Sequence, residues 1–173
     1  MAPSKPQADQ STTAEPKSGV LEDNQIDVKL KLAGLWTSFM FLYVYVDVLG
    51  FYKPGTIEDI LIGQVFTFQI SPLFIMIALV SVTIPALMVA LSLTLPARVN
   101  RWTNIVLGIL YIPYSLFNLA GAGSWPHYYF GAGVEVVLLA LVLWYAWKWP
   151  RTPVDATQRA EANDRKTVQP QDF

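Results

Sequence analysis

The chain contains no cysteine and a single histidine, His127. The first absence excludes disulfides, thiolate metal sites, iron–sulfur ligation and palmitoyl anchors. The second makes a multi-histidine metal site impossible within one chain, and no metal is expected. No HExxH, GxSxG or P-loop pattern occurs, so no cofactor and no recognisable nucleophile is implied. Charge is scarce as well. Charged residues make up 14% of the 173 positions, where a soluble domain carries about a quarter. A formal net charge of −1 with no basic stripe argues against a nucleic-acid partner. The N-terminus lacks an apolar core of the kind a secretory signal needs.

Hydrophobic residues account for 53% of the chain, and its mean hydropathy is +0.37. The charge deficit lies between Leu32 and Trp149, and both ends are polar. Three regions follow: a disordered polar tail and juxtamembrane segment over 1–31, a transmembrane domain over 32–149, and a polar disordered tail over 150–173. The alternation Ile26-Asp27-Val28-Lys29-Leu30-Lys31 allows a short strand, but a backward extension of the first helix is preferred.

Four apolar blocks are each near the ~20 residues needed to cross a bilayer core. They cover 32–52, 71–95, 102–122 and 128–147. Lys53-Pro54-Gly55 ends the first. Thr56 resembles a helix N-cap, and 57–68 is expected to form a short interfacial helix with Ile57, Ile60, Leu61, Gln64 and Phe68 near one face. Pro72 suits a first helical turn. Pro85 and Pro113 fall inside spans, which membranes tolerate where a neighbour satisfies the freed carbonyl. Residues 96–101 are read as a turn carrying Arg98 and Arg101, and 121–126 as a second turn. The fold class is therefore all-α: a four-transmembrane-helix bundle with a short interfacial helix between spans one and two.

Lys29, Lys31, Arg98, Arg101, Lys148 and Arg151 flank one side of these spans. The positive-inside rule places that side, and both termini, in the cytoplasm. Trp36, Trp102, Trp144 and Trp147 fall toward the inner boundary, and Tyr52, Trp125 and Tyr128 toward the outer one, as aromatic belts. A bacterial inner membrane is the expected location, with the bilayer itself as a partner. Ala86, Ala90 and Thr94 recur every four residues and offer a small-residue face for a homodimer.

The only formal charges inside the four blocks are Asp47 and Glu135. A carboxyl in hydrocarbon is costly and turns toward a partner, a bundle interior or a watery cavity. At the helical rise of about 1.5 Å per residue, Asp47 lies roughly 7 Å and Glu135 roughly 4 Å outward of their span midpoints, at similar depths. Asn104, Tyr111, Ser115, Asn118 and Ala122 share one helical stripe. Tyr43 lies one turn before Asp47, and Gly131 and Ala132 one turn before Glu135. A ligand-binding polar layer of Tyr43, Asp47, Tyr114, Asn118 and Glu135 is expected, with Ser81 near its level and His127 over its outer mouth. Two carboxyls close together in low dielectric do not both ionise readily. Glu135, with no Lys or Arg in the blocks to pair with it, is expected to exchange a proton with the outer side.

The stretches LWTSFMFLYVYVDVLGFYKPG, PALMVALSLTLPARVNRWTNIVLG and EVVLLALVLWYAWKWPR resemble an uncharacterised bacterial family of small four-span membrane proteins, over residues 35–151. The resemblance implies a four-helix bundle in a membrane and supplies no catalytic residue. The general form is also similar to the DoxX-like membrane proteins, an architectural likeness only. Three functions remain open. One is binding or transport of a small or lipid-like ligand, a cation or a proton through the carboxylates. Another is a non-enzymatic assembly subunit whose polar layer only locks helices. The last, ranked below both, is a membrane-embedded enzyme acting on a lipid, sterol or quinone.

Overall fold

The computed structural model describes residues 26–150, 158–161, 163 and 164. The expectations for 1–25, for Arg151 and for most of 150–173 lie outside the described residues. Residues 158–161, 163 and 164 are helical and exposed.

Asp27 opens the first span by accepting the Lys29 amide at 2.7 Å, and helix α1 runs Val28–Gly50. The helix therefore does extend back through Lys29 and Lys31. It also stops short of Tyr52, which shifts Asp47 toward the helix end. Helix α2 covers only Thr56–Leu61, not 57–68. Gly63, at φ +82°, turns the chain out of the helix in a conformation that favours glycine. Strands β1 (Gln64–Val65) and β2 (Phe68–Gln69) then pair as a small antiparallel hairpin. Thr56 is the first helical residue, not the cap, and Gly55 occupies the cap position.

Helix α3 runs Pro72–Thr94, capped by the Ser71 hydroxyl, which accepts the Phe74 amide at 3.1 Å. Helix α4 runs Ala97–Phe117 and tightens into a 3₁₀ turn over Asn118–Gly121. It starts five residues before the sequence reading placed it, because Pro96 takes an extended conformation that launches a helix directly. Arg98 and Arg101 thus belong to its first two turns, where long stems can follow the apolar surface while the charge reaches water. Helix α5 runs Pro126–Trp147, with Pro126 in the first turn.

All four long helices are apolar and long enough to cross a membrane. They form an up-and-down bundle. Helix α1 packs against α3 and α5, and α5 against α4, while the α3–α4 seam touches only lightly. One end holds the start of α1, the α3–α4 turn and the end of α5. The other holds α2 and the hairpin. Toward the first end, Leu32, Trp36, Phe39, Met88, Tyr111, Leu139 and Val142 form the core.

Two polar devices hold this core. Trp36 is fully buried, so it is not an interface anchor. Its indole donates to Asn104 Oδ1 at 2.7 Å, Asn104 donates to the Asn100 carbonyl and side chain, and Asn100 donates to the Ser92 carbonyl at 2.6 Å. Trp102, Trp144 and Trp147 are exposed and fit the belt reading. The second device answers Pro85. Proline removes the amide that the residue four positions back would accept, here the Ser81 carbonyl. The Tyr111 hydroxyl donates to that carbonyl at 2.6 Å. Tyr111→Phe keeps the ring and orphans the carbonyl, so it should destabilise the folded bundle by about 1–2 kcal/mol in detergent. Equal unfolding midpoints for Tyr111→Phe and wild type would show that this bond contributes nothing.

Candidate functional site

The cavity between α1, α4 and α5 is small, about 60 Å³. Tyr43, Asp47, Asn118 and Glu135 line it, together with Ser115, Tyr128 and Phe66. Close helix approach creates it. Gly131 lies against the Val46 side chain and Gly50 against the Tyr128 hydroxyl, positions where any Cβ would collide. These two contacts mark the close approach of α1 and α5. Both carboxyls line this cavity.

Their environments differ accordingly. Glu135 is only 4% exposed. Asp47 is an exposed residue at the cavity mouth. Neither makes an ion pair or a well-aligned hydrogen bond among the described residues. Ser115 is fully buried, and its hydroxyl faces the Glu135 carboxyl without completing a well-aligned bond. A carboxyl and a hydroxyl thus lie side by side on a cavity large enough for a water or a bare ion.

Tyr114 joins from the far wall. The Tyr43 and Tyr114 hydroxyls lie 3.0 Å apart, with the rings stacked. The Tyr114 hydroxyl donates to Ser81 Oγ at 2.8 Å, and Ser81 donates to the Ala78 carbonyl at 2.7 Å. Since Tyr114 spends its one proton on Ser81, Tyr43 is the donor to Tyr114. The Asn118 amide reaches the Tyr43 hydroxyl on the cavity side. This chain of hydroxyls runs from the carboxylate cavity to a cleft of about 450 Å³ in the open α3–α4 seam, lined by Ser81, Tyr111, Tyr114 and apolar side chains.

The sequence reading places Tyr43, Asp47, Tyr114, Asn118 and Glu135 in one layer; four of them line the cavity, while Tyr114 does not line it and lies one hydrogen bond away through Tyr43. It missed Phe66, Tyr128 and the pairing of Ser115 with Glu135. Tyr128, which the sequence pattern places in the outer belt, is 8% exposed and lines the cavity. His127 does not cover the mouth; its ring packs on Trp125 and Tyr128. Phe66, brought over by the hairpin, takes that place.

A family model described as a family of unknown function (DUF6326) matches residues 21–156, which include all four spans. The chain belongs to this family. No curated protein and no solved structure matches it. Membership of DUF6326 carries no activity, so any functional reading rests on the cavity itself.

Proposed function

We propose that this protein binds a proton or a small cation at Glu135, admitted past Asp47, and passes it into or across the membrane. The carrying observation is the Glu135 carboxyl, almost wholly buried, with the Ser115 hydroxyl beside it and no cationic partner among the described residues, facing a cavity of about 60 Å³. An unpaired buried carboxylate costs several kcal/mol, so it needs a proton or a cation to neutralise it. The cavity volume favours those occupants over an organic ligand. The oxygen donors of Glu135, Ser115, Asn118 and Tyr43 suit a hard cation. Infrared difference spectra with and without added sodium, and across a pH step, test this. A carboxyl band that responds in the wild type and is missing from Glu135→Gln is the expected result; spectra unchanged by both treatments would refute the proposal.

Membrane orientation follows the same physics. Lys29, Lys31, Arg98, Arg101 and Lys148 all sit at the bundle end away from the hairpin. Lys148 lies 3.8 Å from the Trp144 ring centroid and Lys31 5.3 Å from that of Tyr145. That end is the cytoplasmic one in a bacterial inner membrane, and the cavity opens outward.

A four-span chain has little wall for a complete transport path, and a second copy supplies more. Ala86, Ala90 and Thr94 are exposed along α3, the span with least buried surface. Ala90→Leu should shift a detergent-solubilised homodimer toward monomer by about tenfold in dissociation constant, read by single-molecule photobleaching. Identical subunit counts for wild type and variant would remove this face from consideration.

A further inference from the structure

Outside the carboxylate cavity lies a second one of about 390 Å³, walled by α2, the hairpin and the adjoining ends of α1 and α5. Asp47, Lys53, Asp59, Phe66 and Tyr128 line it. Two acids and a base share this space, yet Lys53 forms no ion pair with either acid. Its ammonium stands instead between two aromatic faces, 5.4 Å from the Phe66 ring centroid and 5.8 Å from that of Tyr128. Both separations lie within the ~6 Å at which a ring face attracts a cation.

The Phe66 ring is held there at a cost. Phe66 opens the two-residue turn of the hairpin at φ +54°, and it is the only non-glycine residue with positive φ among those described. A first central turn position with positive φ is normally glycine. A bulky residue in that region is a true outlier. Such strain persists where surrounding structure fixes it, often at binding sites.

We propose that this outer cavity is an aromatic cage for a small organic ammonium ion, with the Lys53 ammonium as its resident stand-in. The incoming cation displaces Lys53 from the space between Phe66 and Tyr128, and Asp47 and Asp59 supply the countercharge. The cavity is several times larger than the space beside Glu135 and accepts an organic body where that one does not. The cage does not depend on Glu135 or on any flux, so it stands or falls separately from the proton or cation site.

Choline is a suitable probe, with 3,3-dimethyl-1-butanol as its uncharged isostere, titrated calorimetrically into the full chain in detergent. Lys53→Met removes the tethered competitor and should tighten choline binding about tenfold or more. Phe66→Gly should abolish binding while leaving the melting temperature unchanged or higher, because glycine relieves the turn. A purely structural Phe66 would instead lose stability on this change. The proposal is overturned if Lys53→Met binds choline no better than the wild type, if Phe66→Gly still binds it, or if the uncharged isostere binds equally well.

Discussion

Glu135→Gln in reconstituted liposomes should lower proton or monovalent-cation flux by roughly 100-fold, the scale expected when a proton-handling group is removed. The substitution keeps volume and shape. The carboxyl's polar neighbour, the Ser115 hydroxyl, can donate to the glutamine carbonyl as it can to the carboxylate. Thermal stability should therefore stay close to wild type, since the neutral amide replaces a carboxyl already neutralised by a proton or a cation. That combination separates function from packing. A structural polar layer would lose stability and show no flux to lose. Asp47→Asn should have the smaller effect, because Asp47 stands exposed at the mouth and Glu135 at the closed end. Flux unchanged by Glu135→Gln, in a preparation whose wild type is active, would remove the proposed site.

The largest loss of stability is expected from Trp36→Ala. The indole is fully buried, meets Phe39 and Tyr111 edge to face at 5.8 and 6.1 Å, and donates to Asn104. Truncation leaves a large cavity and an unpaired Asn104 carbonyl in low dielectric. The cost should be about 3–5 kcal/mol. Trp36→Phe fills most of the space and should cost less, chiefly the lost hydrogen bond and the orphaned acceptor, about 1–3 kcal/mol. Unfolding in mixed micelles followed by circular dichroism gives both values. If Trp36→Ala costs under about 1 kcal/mol, Trp36 does not serve as the centre of the core and the bundle is organised otherwise.

Much of the bundle was legible because hydrocarbon imposes one rule on every residue: long apolar blocks become helices. Glu135 is buried between them, and Tyr43, Asp47 and Asn118 line the same cavity. What failed was local. A hydropathy profile marks the apolar core of a helix but not its end, so α1 and α4 began earlier than their apolar blocks. Helix α1 also ends at Gly50, before Tyr52, which leaves Asp47 within a turn of the helix end and exposed. The hairpin was invisible because 57–68 shows an apolar face at helical spacing, while one backbone angle at Gly63 breaks it. Phe66 could not be found by any pattern, since its place over the cavity is set by a turn that disfavours its own side chain. Trp36 and Tyr128 carry the composition of a belt, and only packing separates a buried aromatic from an interfacial one.

The most direct test of the central claim is an experimental density map of the protein in a lipid nanodisc, at a resolution that shows ordered waters and ions. The account predicts a peak between the Glu135 carboxyl and the Ser115 hydroxyl, within hydrogen-bonding or coordination distance of both, with Asp47 open to the hairpin side. A dry contact there, with Glu135 bonded to another side chain or turned out into the acyl chains, would contradict it.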